Sequence, residues 1–337
     1  MRHHLATSHH PPSAAARFSF DRLDAFHSED VLTLVHGPGW TSIVIEEDGQ
    51  ALLHTHFKAR IGATAWFDSD PFLGYDGPVA NTADAGFLRR ALARLSEVCR
   101  DEGLVAQVLR FNPLLGNGAA LEKLHEGLRI VHAKDIVIVN CHGDEAAQLA
   151  EFSTSRQRDL RRSAHAATFR ILEGAGDRER FRQLYASSIR RVGADSRWHF
   201  SAEFFERAGA SARVTLYGVE GPSGELFAAA LAVHHPFASY WLLGAVDENA
   251  TDGASKQLVH GMAMDTAHRG TKYLILGGGN SSSPEDDLLV WKSKFAPRLY
   301  PFHLGLWIHM PQAFSELTGG GAPAPYFLSY RRPSPPQ

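Results

Sequence analysis

The chain repeats one order of elements, in which short strands precede an amphipathic helix, a glycine ends the helix and a buried strand follows. In the first half, the strand LVAQVLRF follows Gly103, and the helix before it is predicted by the spacing of Leu88, Ala91, Leu92, Leu95, Val98 and Cys99. In the second half, a helix from about Ser255 to His268 leads through Gly270 into KYLILGGG. Six residues separate Gly103 from Leu109, and six separate Gly270 from Leu276. The shared order indicates an internal duplication.

Short β-rich runs come before each of the two helices. In the first half, SIVIEE and ALLHTHF flank Asp48-Gly49, which is a strong hairpin signal. In the second half, three strands are predicted at 213–219, 226–234 and 239–245. We therefore predict an α/β protein with a first domain over 17–145 and a second over 146–330. The Pro-rich ends, 1–16 and 331–337, are predicted to be mobile tails.

The composition is typical of a soluble globular protein, with 44% hydrophobic and 21% charged residues among 337. The formal net charge of -3 argues against binding to DNA through a global field. The two cysteines, Cys99 and Cys141, do not form a CxxC pair, and no apolar run is long enough to cross a bilayer. We expect a cytoplasmic protein without a membrane span. The early histidines, His3, His4, His9 and His10, could bind a metal, but in a mobile tail we expect none to be bound.

A basic segment lies between the halves. Residues 153–170 contain five arginines and one acidic residue, Asp159. On a helix, Arg158, Arg161, Arg162 and His165 share one face. Such a face is either solvated or binds a phosphate-bearing partner, and the sequence leaves both readings open.

Four segments, in order, resemble motifs of the Fem family of aminoacyl-tRNA-dependent peptidyltransferases (FemABX-like). They are PFLGYDGP at 71–78, LRFNPLLGN at 109–117, TSRQRDLRRSAHAA at 154–167 and LGGGNSSSPEDDLLVWKSKFAP at 276–297. The resemblance implies two acetyltransferase-like (GNAT-like) domains, each a mixed β-sheet flanked by helices, with a cleft between them. It also implies an aminoacyltransferase that moves an aminoacyl group from aminoacyl-tRNA to an amine of a small peptide or metabolite, with no further cofactor.

The same resemblance implies roles for individual residues. Lys292 matches the lysine of the family's F-K-x-x-F block and is expected to act on the reactive carbonyl of the donor. The other interpretation of Lys292 is a surface lysine without a catalytic role. Lys294 is the second candidate for the catalytic lysine. Other donor-binding candidates are Trp291, Phe295, Arg158, Arg161 and Arg162. The acceptor-binding candidates are Tyr75, Asp76, Arg191 and Arg197. Asp70, Asp286 and Asp287 are interpreted as turn or cap residues.

The identity of the donor depends on the start of the second-half helix. A coenzyme-A-dependent acetyltransferase holds the pyrophosphate on helix N-terminal amides, after a glutamine or arginine and spaced glycines. Here the equivalent stretch, Asn249–Ser255 (NATDGAS), lacks that pattern. This disfavours acyl-CoA as donor and leaves a GNAT-type N-acyltransferase as the alternative. An inactive GNAT-like binding module is a third reading.

His54 and His56 lack an acidic third ligand at a suitable spacing, so no metal site is predicted.

Overall fold

The chain divides into two units that each combine helices with β-sheet. The structure, a computed structural model, describes residues 1–7, 23–251, 253–320 and 326–331. Unit 1 contains Met1–Ala133 and Phe302–Gln337, and unit 2 contains Lys134–Pro301. The last part of the chain is therefore grouped with the first. Of the predicted tails, 8–16 and 332–337 lie outside the described residues, as do His9 and His10.

The structure describes fourteen strands and ten α-helices. The strands are β1 (Arg2–Thr7), β2 (Trp40–Glu47), β3 (Gln50–Phe57), β4 (Ala59–Arg60), β5 (Phe67–Ser69), β6 (Val79–Ala80), β7 (Leu104–Arg110), β8 (Leu128–Asn140), β9 (Thr168–Leu172), β10 (Val214–Glu220), β11 (Leu226–His234), β12 (Ser239–Val246), β13 (Tyr273–Gly278) and β14 (Leu299–Ile308). The helices are α1 (Glu29–His36), α2 (Ala85–Asp101), α3 (Asn117–Leu121), α4 (Glu145–Glu151), α5 (Thr154–Ser163), α6 (Gly174–Arg191), α7 (Ala202–Ala210), α8 (Ala254–His268), α9 (Asp287–Ser293) and α10 (Pro311–Thr318).

Unit 1 contains the predicted hairpin. Strands β2 and β3 pair antiparallel with Glu47 opposite Gln50, and both turn residues, Asp48 and Gly49, have positive φ angles. This is the geometry that an Asp-Gly turn favours. Strand β1 pairs with the free side of β2, so residues 2–7 are extended and hydrogen-bonded where the sequence predicts a tail. An ion pair between Arg2 and Glu46 (2.9 Å) supports this pairing.

Helix α2 has the predicted apolar face. Asp84 caps its first turn by accepting hydrogen bonds from the amides of Gly86 and Phe87. All six predicted face residues, from Leu88 to Cys99, are buried. Gly103 then reverses the chain with a φ of 74°, and β7 begins at the next residue with its first six residues buried.

In unit 2, the strands are neighbours in the order β8-β13-β12-β11-β10-β9. The β12–β13 pair is parallel, and the other pairs with described registers are antiparallel. Helix α8 connects β12 to β13 through Gly270, which has a φ of 80°. The three strands predicted for this half are present as β10, β11 and β12, and the helix–glycine–strand order occurs in both units. The sequence did not predict the helical pair α6 and α7 between β9 and β10.

None of the described helices has both the length and the apolar character needed to cross a bilayer. Within the described residues, no group of three or more His, Cys, Asp or Glu side chains is placed to hold a metal ion. His54 and His56 are buried side by side in β3, with stacked rings 5.4 Å apart, and His54 hydrogen-bonds to Gln107. They are part of the interior of unit 1.

Candidate active site

Helix α9 of unit 2 places Lys292 against the turn that follows β13. Asp286 caps the start of the helix, and its carboxylate accepts hydrogen bonds from the amides of Leu288 and Leu289 and from Ser281. Burial acts to raise the pKa of Asp286, but these hydrogen bonds outweigh it and hold the pKa at about 2. Asp286 is therefore a cap that remains ionised, as the sequence interpretation expects for this residue.

Two ammonium groups converge on the glycine turn. Lys292 Nζ donates to the carbonyl of Gly278 (2.8 Å), and Lys134 Nζ donates to the carbonyl of Gly279 (2.8 Å). Burial, and then the neighbouring charge of Lys134, lower the pKa of Lys292 to about 8, against a smaller opposing effect of Asp286. The site is therefore positively charged at neutral pH, with one lysine close to its titration point.

The turn itself requires glycine. Gly277 has a φ of 73°, which favours glycine. A Cβ on Gly278 would lie 2.8 Å from the carbonyl oxygen of Asp135, and one on Gly279 would lie 2.2 Å from a carboxylate oxygen of Asp286. The backbone can approach Lys134 and α9 closely only because these side chains are absent. Side chains here would displace the carbonyls that hold the two lysines.

Two aromatic residues, one in α9 and one just after it, pack against a buried arginine. The Arg156 guanidinium lies over the rings of Phe295 (4.3 Å) and Trp291 (5.3 Å) and donates to the Trp291 carbonyl (3.0 Å). Phe295 is fully buried and also packs edge-on against Phe152. Phe295 is thus enclosed by protein, whereas Trp291 is half-buried and has accessible surface.

The arginines of the basic helix α5 point in different directions. Arg156 points inward, whereas Arg158, Arg161 and Arg162 are exposed. Arg162 pairs with Asp159 (2.7 Å), and the same carboxylate also contacts the buried Lys256 of α8 (3.1 Å). The described residues offer Arg158 no hydrogen bond or ion pair. Most of the positive charge of the predicted face therefore remains uncompensated.

The start of α8 is covered by the end of α5. A Cβ on Gly253 would lie 2.0 Å from the Cβ of Ser163. The side-chain amide of Gln257 donates to the carbonyl of Ser163, and Ala254 is fully buried. The space next to the first turn of α8 is thus filled by protein. Residue 252 of the NATDGAS stretch lies outside the described residues.

In unit 1, the 71–78 loop is bound to the end of β7. Asp76 accepts a hydrogen bond from the Arg110 amide (2.7 Å), and the Arg110 guanidinium donates to the Gly74 carbonyl (2.9 Å) and lies over Phe302 (5.1 Å). Burial raises the pKa of Asp76 to about 7, although the Arg110 hydrogen bond and charge lower it. Its Oδ2 atom is buried and has no hydrogen-bond partner among the described residues. Burial also raises the pKa of Tyr75, whose ring packs edge-on against Phe302.

The other acceptor candidates are at the surface of unit 2. Arg191, the last residue of α6, donates to the carbonyl of Val246 (2.7 Å). Arg197 forms an ion pair with Asp195 (3.1 Å). Both side chains are exposed. In unit 1, Asp70 accepts a hydrogen bond from the Tyr326 hydroxyl, consistent with a structural role.

Comparison with known proteins places this site in a familiar fold. Residues 153–305 match the family described as the acetyltransferase (GNAT) domain. The structure is similar to that of FemX, with a TM-score of 0.71 and 12% identity over 94% of this chain and 99% of FemX. The fold resemblance expected from the four motifs is therefore confirmed, as is the α/β class with GNAT-like units.

Two further solved structures share the fold at lower similarity. The C-terminal domain of a protein assigned as a lysylphosphatidylglycerol synthetase from Agrobacterium fabrum has a TM-score of 0.58 and 15% identity, covering 89% of this chain and 92% of that domain. L-PGS from Bacillus licheniformis has a TM-score of 0.54 and 13% identity, covering 81% of this chain and 86% of that chain. No curated protein sequence matches the chain significantly.

Proposed function

We propose that the protein is an aminoacyltransferase that forms an amide bond by moving an aminoacyl group from aminoacyl-tRNA to an amine of a small peptide or metabolite. The observation that carries the proposal is the position of Lys292, half-buried on α9 and held by the carbonyl of Gly278. An ammonium group has three donor protons, and this hydrogen bond uses one. The remaining two can be donated to a developing oxyanion.

The reaction has simple requirements. The acceptor nitrogen attacks the ester carbonyl of the donor, the C–N bond forms, and negative charge develops on the carbonyl oxygen. The C–O bond to the ribose then breaks, while the nitrogen loses a proton and the ribose oxygen gains one. Lys292, with Lys134 beside it, supplies positive charge for the oxyanion in a partly buried site, where such charge is most effective. Trp291 offers an aromatic surface on which the terminal adenine of a tRNA could stack.

Two observations favour tRNA over coenzyme A as the carrier. The first turn of α8, whose amides would bind a CoA pyrophosphate, is covered by Ser163. The exposed arginines of α5 suit an extended phosphate backbone. Tyr75, Asp76, Arg191 and Arg197 stay predictions for acceptor binding. We expect the protein to act in the cytoplasm, where aminoacyl-tRNA is made.

The decisive experiment offers the purified protein both types of donor. The protein is incubated with a pool of charged tRNAs and candidate amines, and products are identified by mass spectrometry. We expect amide products that disappear after RNase treatment and in the Lys292→Met variant. Product from acyl-CoA without tRNA would instead establish the N-acyltransferase alternative. Absence of turnover with either donor would favour a binding module.

A further inference from the structure

Unit 2 contains a pocket near β9, the strand at one end of the sheet order, and away from the lysine cluster. The pocket has a volume of about 310 Å³ and lies where β9 and β10 meet α6 and α7. Lys292 is next to β13, and β12 and β11 separate β13 from β10 in the sheet order. None of the residues that line the pocket has a role in the proposed reaction.

One wall of the pocket contains an arginine without a partner. Arg178 of α6 makes no hydrogen bond or ion pair with any residue that the structure describes, and its Nε atom is buried. The next arginines on the same helix are paired, Arg180 with Glu220 (2.8 Å) and Arg182 with Glu179 (2.6 Å). A buried guanidinium N–H without an acceptor is unfavourable. Arg178 thus differs from these two neighbours, and it lines a space that a ligand can enter.

Packing fixes the position of Arg178. A Cβ on Gly209 of α7 would lie 2.3 Å from Arg178 Cδ and 2.6 Å from Arg178 Nε. The glycine therefore lets the arginine side chain lie directly against α7. This contact restricts the guanidinium before any ligand arrives, which reduces the entropy lost on binding.

The remaining lining is mostly apolar, with a positive bias. Buried side chains of Leu172, Phe181, Phe205, Leu216 and Leu231 form the walls. Arg269 also lines the pocket, but it is paired with Asp265. The lining includes one acidic residue, the exposed Glu173, next to the N-terminus of the 18-residue helix α6. That helix end carries partial positive charge.

We propose that this pocket binds a small organic carboxylate, with the carboxylate on Arg178 and an aryl or branched alkyl body between Phe181, Phe205 and Leu231. The planar guanidinium matches a carboxylate with two parallel hydrogen bonds. The volume is at the lower end of the range for ligand pockets, which limits the ligand to a small molecule.

The proposal is tested by titrating the full chain with phenylacetate, 4-methylpentanoate and the neutral analogue phenylacetamide, using calorimetry. We expect saturable binding of at least one carboxylate and about tenfold or greater weakening in Arg178→Gln, because hydrogen bonds to a charged group are lost. Arg182→Gln, on the same helix, is the matched control and should bind as the wild type does.

Gly209→Ala provides a second test that leaves all charges in place. Its Cβ would displace the Arg178 side chain, so carboxylate binding should weaken while α7 itself is not destabilised. Thermal unfolding of each variant checks that it is folded. The proposal is overturned if neither carboxylate binds, if phenylacetamide binds as well as phenylacetate, or if Arg178→Gln binds normally. None of these results affects the tRNA-dependence assay.

Discussion

Replacing Lys292 by methionine separates a catalytic role from a structural one. The substitution removes the ammonium group and keeps most of the aliphatic chain, so packing against the glycine turn changes little. The matched control is Lys294→Met, two residues along. The Lys294 side chain is exposed, and it is the carbonyl of this residue, not its ammonium group, that accepts a hydrogen bond from Ser153 (2.9 Å).

The expected magnitudes differ for rate and for stability. Loss of one oxyanion donor lowers the rate by about a hundredfold to a thousandfold. In the folded state, the pKa of Lys292 falls from its ordinary value of 10.5 to about 8. Below pH 8 the buried ammonium group therefore lowers the free energy of unfolding by about 3 kcal/mol. The lost hydrogen bond to Gly278 offsets about 1–3 kcal/mol of this. Lys292→Met should therefore be nearly inactive and at least as stable as the wild type at pH 7.

The assay combines single-turnover aminoacyl transfer with urea unfolding at pH 7. A fall in rate with little change in substrate binding, and no fall in unfolding free energy, supports the catalytic assignment. Full activity with a raised KM would identify Lys292 as a binding residue. A loss of stability in Lys292→Met, or equal behaviour of Lys292→Met and Lys294→Met, would refute the reasoning.

The pH dependence of the rate gives an independent check on the same site. The protonated form of Lys292 is lost as pH rises through about 8, so its contribution to the rate should decline there. Because the charge of Lys134 helps to lower that pKa, Lys134→Met should move the decline to higher pH. An alkaline decline at the same pH in Lys134→Met would contradict the electrostatic coupling.

Three further predictions concern other parts of the chain. Replacing Arg158, Arg161 and Arg162 together by alanine should weaken binding of aminoacyl-tRNA and flatten its salt dependence in filter-binding assays, with little effect on stability; an unchanged salt slope would mean that this face is only solvated. Asp76→Asn should stabilise the protein at neutral pH. The Asp76 carboxyl has a pKa of about 7 in the folded state against an ordinary 3.8, so the wild type loses about 4 kcal/mol of unfolding free energy as pH rises from about 4 to 7. Urea unfolding across this window should show that the stability advantage of the variant grows with pH. The effect of His54 on stability has the opposite pH dependence. Its pKa is about 4 in the folded state against an ordinary 6.5, so its contribution to the unfolding free energy is present above pH 6.5, and about 3 kcal/mol of it is lost as pH falls to about 4. The difference in unfolding free energy between wild type and His54→Gln should therefore shrink over that range.

Much of the fold could be predicted from local sequence signals. Local signals predict the Asp48-Gly49 hairpin, the apolar face of α2 and the two glycines that end α2 and α8. Each of these features depends on residues that are close together in the sequence. The helical pair α6 and α7 was missed because arginines and glycines dilute the apolar spacing of α6, and its buried residues, such as Phe181, make their contacts with another helix. Strand β1 was missed because its sequence, RHHLAT, does not alternate polar and apolar residues and extends only where β2 offers free hydrogen-bonding groups.

The candidate site divides in the same way. The motif WKSKF marks Lys292 and Trp291 in the sequence, and the glycines at 277–279 mark the turn next to them. Lys134 belongs to no motif, and its approach to the same turn depends on the pairing of β8 with β13. The resemblance assigns Phe295 to donor binding and no role to Arg156, but the fold buries both, with the Arg156 guanidinium over the Phe295 ring.

The sequence by itself determined the hairpin of β2 and β3, the helices α2 and α8 with the glycines that end them, and that a lysine follows a glycine-rich turn. These properties follow from backbone preferences and side-chain periodicity over a few residues. Only the tertiary structure decided that a second lysine lowers the pKa of Lys292, that Ser163 covers the start of α8, and that none of the described carboxylates pairs with Arg178. Each depends on distances of a few ångströms between residues far apart in the chain, and electrostatic and packing energies are set by those distances.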